Sequence, residues 1–537
     1  LLNFDSLNYP YSSRRNVTIS KKGMVATSQP LAANAGLEIL KQGGNAIDAA
    51  VCTAACLTVV EPTSNGIGGD AFSLVWHNGK LHGLNSSGQA PQDISREKVV
   101  ERGYEKMPTL GPLPVTVPGA PAAWVEMNEK FGKLSLEKVL APAIRYALEG
   151  YPITPTLGEN WDRAFKKYSK ECKGEEFSEW FKIFAPNKRA PRIGEMWSSK
   201  DHGETLRKIA ETKGEHFYKG EIAEKVDHYF KKYNGYLKGE DLEQFSSQWV
   251  DPISVNYRGY DIWEIPPNGQ GLVALMALNI LKQEEFSSKE ALDTYHKQIE
   301  ALKLAFVDGQ KYITDLEHMK VSLDDLLSDT YAKERLNQIG DTAITPEPGK
   351  PDQGGTVYLA TADEEGNMVS FIQSNYMGFG SGVVLPGTGV SLQNRGHSFS
   401  LDKDHYNVLE PGKRTYHTII PGFMTKGDEP VGPFGVMGGF MQPQGHLQVV
   451  MNTIDFGMNP QAALDAPRWQ WTEGKKVSLE QNFSSNIAKS LNRRGHDINL
   501  SLESDSFGRG QIIFRDPKSG VLFGGTEPRT DSTIASY

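Results

Sequence analysis

Between Pro351 and Phe371 a polar, glycine-bearing loop ends in Gly354 and Gly355 and meets Thr356. An apolar β-type run follows (Val357, Tyr358, Leu359, Ala360), then a turn at Glu365, Gly366 and Asn367, then a second β-type run from Met368. The pattern predicts a hairpin whose first strand begins at Thr356. A Thr heading a strand behind a Gly-Gly pair becomes a new N-terminus if the chain is cut before it. Its hydroxyl is then a nucleophile and its own α-amine the base. Taken alone, the same triplet equally describes a β-branched residue that starts a strand, so the rest of the chain has to decide.

The 537 residues allow several domains or one large α/β unit with a substantial core. A hydrophobic share of 38% and a charged share of 23% fit a soluble globular protein. The net charge of −9, with no basic stripe against it, excludes a nucleic-acid partner. Cys52, Cys56 and Cys172 make no disulfide framework. Cys52 and Cys56 share an Ala-rich helix pattern and read as small core residues. No apolar run reaches membrane-spanning length, so no membrane partner is expected. The chain opens without a charged and apolar leader pattern. A cytoplasmic location is the expectation, and a secreted or periplasmic one follows if a signal was removed.

Helical spacing predicts helices over 31–42, from Asn45 through an Ala-rich run, and over 135–150, 200–212, 220–233, 272–281 and 297–314. Residues 71–77 and 80–85 read as a hairpin across Asn78-Gly79, and 251–265 as strand. Residues 316–355 read as a polar connector, exposed and cut on maturation. Beyond Thr356 the pattern is mainly strand, with one helix near 443–457.

Several segments recur in a set order. They are Gly43-Gly44-Asn45-Ala46-Ile47-Asp48, Asn65-Gly66-Ile67-Gly68-Gly69, Pro266-Pro267 and Glu300-Ala301-Leu302-Lys303, then Thr356, Gly412-Lys413-Arg414, Met437-Gly438-Gly439, Asp465-Ala466-Pro467-Arg468 and Gly525-Thr526-Glu527-Pro528-Arg529. None is distinctive alone. In this order and spacing they resemble the γ-glutamyltransferase family of N-terminal-nucleophile hydrolases, from about Gly23 to the end of the chain.

That resemblance implies an α+β, four-layer αββα fold made as one precursor. The cut would fall between Gly355 and Thr356, giving residues 1–355 and 356–537, which stay associated. Gly355 lacks a Cβ and leaves its carbonyl open to attack. The freed α-amine, with an ordinary pKa of about 7.7–8, suits a general base. The resemblance places the oxyanion hole at the backbone N–H groups of Gly438 and Gly439. It places Ser374 where a hydroxyl residue faces the nucleophile. The activity implied is γ-glutamyl transfer or glutathione hydrolysis through an acyl-enzyme on Thr356, without metal or organic cofactor.

The substrate pocket departs from the family pattern. An Arg expected shortly before Ala90-Pro91 is absent and Ser87 stands in its place. A Ser-Ser pair is replaced by His417-Thr418, an acidic residue by His397, and an Asn by Tyr376. Arg395, two residues before His397, is either a carboxylate anchor or a structural Arg. A pocket without its acid and Arg binds the zwitterionic γ-glutamyl head poorly, since each charged hydrogen bond is worth about 1.5–3 kcal/mol. Relatives with altered pockets include cephalosporin acylases, whose glutaryl side chain has no α-amine. The expected partner is therefore a small γ-glutamyl or glutaryl amide. A non-catalytic binding protein on the same fold is the rival from another class.

Overall fold

The computed structural model describes residues 10–11, 15–346 and 355–537. Gly354, residues 347–354 of the expected connector and the opening residues of the chain lie outside the described residues.

The strands fall mainly into two antiparallel sheets of seven. One runs in the order Thr533–Ser536, Gly23–Thr27, Gly355–Asp363, Met368–Tyr376, Asp70–His77, Lys80–Ser86, Gln248–Val250. The other runs Thr18–Ser20, Leu522–Thr526, Arg509–Arg515, Glu429–Met437, Gly422–Lys426, Tyr260–Glu264, Ile253–Tyr257. Strands from either side of residue 355 interleave in both sheets. The sheets face each other across a layer that includes Phe72, Tyr358, Ile265, Phe423 and Ile513. Helices Pro30–Lys41, Ala46–Val60 and Ala120–Phe131 cover the outside of the first sheet, with Leu136–Glu149 packed on Ala46–Val60; Gly271–Leu281 and Met441–Ile454 cover that of the second, with Leu292–Tyr312 packed on Gly271–Leu281. The order helix, sheet, sheet, helix is the α+β αββα architecture. No helix among the described residues is long and apolar enough to cross a membrane.

Local chemistry explains the pieces that hold the site. Asn45 accepts from the Ile47 and Asp48 amides, and Asp48 accepts in return from the Asn45 amide at 3.2 Å. This capping box starts Ala46–Val60, all of whose residues are buried. Its small side chains let neighbouring helices approach. The hairpin of Gly355–Asp363 and Met368–Tyr376 closes as the alternation predicts, with Ala362 opposite Met368. Val357 and Leu359 face the helices, while Tyr358, Ala360 and Ala362 face the other sheet. That alternation holds from Val357 onwards, and Thr356 stands at the irregularity where it begins.

Two expectations need correction. Residues 316–336 are not a bare connector: they form the short helices Leu323–Leu326 and Asp329–Leu336, which bury Leu326 and Ala332. Beyond Thr356 there are helices Pro460–Asp465 and Ser485–Arg493 besides Met441–Ile454. Both misreadings come from short helices with few apolar residues in a repeating pattern.

The sheets approach closely at Gly435, where a Cβ would lie 2.4 Å from the Tyr358 ring. Gly435→Ala is expected to lower stability by about 1–3 kcal/mol, the range for overpacking a filled core. Urea unfolding followed by tryptophan fluorescence measures this. Unchanged stability would show that the sheets are not pressed together at this point.

Candidate functional site

Thr356 is buried at the head of its strand. The ladder pairs Gly355 with Tyr376 and Val357 with Gln373, so the register shifts at Thr356. Such a bulge re-aims a side chain. The Thr356 hydroxyl donates to Ser374 Oγ at 3.1 Å, and the Ser374 hydroxyl donates to the Gly355 carbonyl oxygen at 2.7 Å. The Tyr376 amide donates to Ser374 Oγ at 2.8 Å and fixes that hydroxyl. The nucleophile, its hydroxyl partner and the carbonyl ahead of it are thus one hydrogen-bonded chain. Gly355 is held between neighbours: a Cβ there would lie 3.0 Å from the Gly378 amide nitrogen and 3.4 Å from Ser64 Cα.

Gly438 and Gly439 follow the last residue of Glu429–Met437. Their φ values of +135° and +58° belong to the region glycine favours. Gln270 braces this turn, its amide donating to the Gly439 carbonyl at 2.9 Å and the Thr418 carbonyl at 2.6 Å. Among the described residues no acceptor takes the Gly439 N–H. Gly355, which precedes the expected nucleophile, and Gly438, the first of the expected oxyanion pair, line the same cleft, of about 330 Å³.

A buried cluster of charged groups lies against Tyr376. Arg395 is fully buried, with its guanidinium 4.0 Å from the Tyr376 ring centroid. Its Nη1 donates to Thr418 Oγ1 at 2.8 Å, while Nε and Nη2 have no partner within the protein among the described residues. Burial pushes its pKa down to about 10, against the opposing pull of Tyr376 and Asp70. Asp70 is the nearby acid, and burial raises its carboxyl to about 7 despite Arg395. It is already occupied: Oδ1 accepts from Gln393 Nε2 at 2.9 Å and the Gly88 amide at 3.0 Å, and Oδ2 faces His417 Nε2 at 2.9 Å. The Ile419 amide donates to His417 Nδ1 at 3.4 Å, which leaves the ring proton on Nε2, directed at Asp70. Burial, then Arg395, holds His417 well below its ordinary pKa and neutral.

The structure therefore gathers Thr356, Ser374, Gly355, Gly438 and Gly439 at one end of the inter-sheet space, and Tyr376, Arg395, His417 and Thr418 beside it. Ser87 is a wall residue: its hydroxyl donates to Asn85 at 2.7 Å and accepts from Asn268 at 3.2 Å. His397 is half-buried, one ring nitrogen 2.6 Å from the Met107 carbonyl and its ring 6.4 Å from that of Tyr376. Sequence reasoning missed Asp70, Gln270 and Gln393. A lone acid heading an apolar strand after Gly68-Gly69 was the signal available for Asp70. Among the described residues, three potential metal ligands meet at His296, Glu300 and His496 on an outer helix layer. Lys303 Nζ already sits 2.6 Å from Glu300, and His296 and His496 bond each other at 2.8 Å.

A family model described as gamma-glutamyltranspeptidase matches residues 32–537. The chain is 36% identical over 523 residues to the glutathione hydrolase-like YwrD proenzyme of Bacillus subtilis, covering 96% of this chain and 98% of that protein. It is 33% identical over 538 residues to the oxamate amidohydrolase proenzyme of Klebsiella pneumoniae, covering 97% and 99%. Its fold superposes on the crystal structure of a cephalosporin acylase from Bacillus halodurans with a TM-score of 0.96 and 64% identity over 99% of each chain.

Asp70 makes a pH-dependent contribution with a definite sign. Between the ordinary carboxylate value and about 7, the folded protein holds a proton that the unfolded chain has released. Its contribution to stability therefore falls as pH rises through that window. Urea midpoints measured from pH 4.5 to 7.5 are expected to slope less for Asp70→Asn than for the wild type. Equal slopes would mean that Asp70 does not titrate there.

Proposed function

The chain belongs to the gamma-glutamyltranspeptidase family, an enzyme family, and on that premise we propose that it is a self-processing amidohydrolase whose N-terminal nucleophile is Thr356. The observation that carries this reading is the hydrogen-bonded chain from the Thr356 hydroxyl through Ser374 to the Gly355 carbonyl.

In processing, the Thr356 oxygen attacks the Gly355 carbonyl carbon and its proton passes to Ser374, which gives its own to the carbonyl oxygen. Collapse breaks the C–N bond, the nitrogen takes a proton, and an ester joins Gly355 to the Thr356 oxygen. Water opens that ester, leaving a free Thr356 α-amine and a Gly355 carboxylate. The interleaved strands support continued association of the two pieces.

In turnover the α-amine accepts the Thr356 hydroxyl proton as that oxygen attacks a substrate amide. The oxyanion draws on the Gly438 and Gly439 amides. The amine half leaves with the proton, and water or a second amine releases the acyl group.

The acyl group is read by Arg395. Its unpaired Nε and Nη2 form one edge of the guanidinium, a two-donor fork that matches a carboxylate. Asp70, the acid that could balance an α-amine, is occupied by His417, Gln393 and Gly88. This favours acyl groups that carry a carboxylate and need no α-amine, of the glutaryl kind, and the likeness to a cephalosporin acylase supports it. Oxamate, in the name of the Klebsiella relative, is likewise an amide bearing a carboxylate. Glutathione hydrolysis is the second reading, favoured by the name of the Bacillus subtilis relative.

Denaturing electrophoresis with N-terminal sequencing tests processing. The expected small piece begins at Thr356, Val357 and Tyr358. Thr356→Ala stays uncut, and Ser374→Ala cuts at least about 100-fold more slowly, as loss of an oxyanion donor does. A small piece with another first residue overturns the assignment. Hydrolysis of glutaryl, γ-glutamyl and neutral acyl anilides tests the acyl group. Arg395→Ala is expected to raise KM for glutaryl anilide about 10–100-fold more than for the neutral one, the worth of a charged hydrogen bond. Equal effects exclude Arg395 as the anchor, and selective turnover of the γ-glutamyl anilide favours glutathione hydrolysis.

A further inference from the structure

The Arg395 guanidinium and the turn at Gly438 and Gly439 are linked through two fully buried residues, Thr418 and Gln270. Arg395 donates from Nη1 to Thr418 Oγ1 at 2.8 Å, its one side-chain hydrogen bond among the described residues. The carbonyl of the same Thr418 accepts from Gln270 Nε2 at 2.6 Å, and among the described residues no other donor reaches it. The other hydrogen of that Nε2 goes to the Gly439 carbonyl at 2.9 Å. Gln270 Oε1 accepts from the Tyr416 hydroxyl at 2.9 Å. Two carbonyls on one side and a hydroxyl on the other fix which way this amide faces, because the flipped amide sets oxygen against oxygen twice.

Gln270 is itself held by the backbone. Its amide donates to the His417 carbonyl at 2.9 Å, and the His417 amide donates to the Asn268 carbonyl at 2.9 Å. Gln270 also stands at the head of helix Gly271–Leu281. The turn it reaches is soft by comparison, since Gly438 and Gly439 have no side chains to lock it. The Gly439 carbonyl also accepts from the Gln442 amide at 3.2 Å, within the first turn of Met441–Ile454, so Gln270 supplies the bond that ties it to another segment. A parallel tie joins the same two segments, the Ile420 amide donating to Gln442 Oε1 at 2.9 Å.

We propose that Gln270 is a positioning residue that couples the acyl anchor to the oxyanion turn. A carboxylate seated on Arg395 draws the guanidinium and Thr418 into place, and Gln270 passes that setting to the Gly439 carbonyl and so to the aim of the turn. The acyl carboxylate then speeds acylation as well as tightening binding, and a neutral acyl group forgoes both. This rests on the reading of Arg395 as the acyl anchor and of Gly438 and Gly439 as oxyanion donors. Gln270 touches no reacting atom. It acts through the three hydrogen bonds of a dry amide, a contiguous network of the kind that couples neighbouring sites.

The test is single-turnover acylation of the processed enzyme by glutaryl anilide and by butyryl anilide, which separates the limiting rate of aniline release from the concentration that half-saturates it. Gln270→Met keeps the length of the side chain and loses its hydrogen bonds. It is expected to lower the limiting rate with glutaryl anilide by about 10-fold or more and with butyryl anilide by less than about 3-fold, and to keep the half-saturating concentration of glutaryl anilide within about 3-fold. Arg395→Ala is expected to lower the limiting rate with glutaryl anilide as well. Adding Gln270→Met to Arg395→Ala is expected to lower it by less than about 3-fold more, because the coupled path is already broken. Equal losses with the two anilides make Gln270 a brace of the turn alone and overturn the proposal while leaving the acyl anchor intact. A raised half-saturating concentration at an unchanged rate also overturns it, as do additive losses in the double variant. Equal effects of Arg395→Ala on the two anilides overturn the parent reading, and this one with it. Where Gln270→Met does not fold or cut itself, Tyr416→Phe, which removes only the donor to Gln270 Oε1, gives the same comparison. A loss of about 3-fold or more confined to glutaryl anilide is then expected, and equal losses or none overturn the proposal.

Discussion

Sheet packs on sheet through a layer of side chains, and that contact places every candidate catalytic group. Strand Gly355–Asp363 in one sheet and Glu429–Met437 in the other cross where Gly435 lies against the Tyr358 ring. The bulge at the head of the first strand aims Thr356 at Ser374, and Gly438 follows the last residue of the second. Neither sheet contains a site by itself. Burial of Phe72, Ile372, Phe423 and Ile513 between them, at roughly 25 cal/mol per Å² of apolar surface, holds the two strand ends in register. Helices on both outer faces keep that register by burying what remains.

The chemistry concentrated there depends on dryness. Asp70, His417 and Arg395 are all buried, and burial moves each towards its neutral form. Arg395, Gln393 and the Gly88 amide oppose that shift at Asp70 without cancelling it, and Tyr376 and Asp70 oppose it at Arg395. A buried guanidinium with a free two-donor edge is costly to leave unmatched and gains most from a carboxylate. In the proposed reading the same cost is the source of selectivity, because an uncharged acyl group leaves that edge unsatisfied.

What could be read from the sequence was what is encoded locally. The hairpin at Thr356, the Asn45 cap and the Ala-rich helix all follow from residues within a few positions of one another. Ser374 and the pair Gly438-Gly439 are expected from the order of motifs along the chain. Arg395 is named by the sequence as an anchor or a structural residue, but its burial is not, because it is made by Thr418, Tyr376 and Asp70, the last of them far away in the chain. Asp70 itself looked like a loop residue, since its donors Gly88, Gln393 and His417 come from three separate segments. The helix Pro155–Glu171 escaped notice for a related reason: its polar face lines a cleft, so its pattern resembles a solvated surface. Short helices such as Asp329–Leu336 bury too little apolar surface to show a period.

All of this chemistry turns on Thr356 carrying the acyl group. The direct measurement is the intact mass of the small piece after acid quench during turnover of a slowly deacylating glutaryl ester, followed by peptide mapping. A glutaryl adduct on the peptide that begins at Thr356, absent when the quench follows complete hydrolysis, is the expected result. Turnover with no adduct on that peptide, or with the adduct on another residue, would contradict Thr356 as the nucleophile.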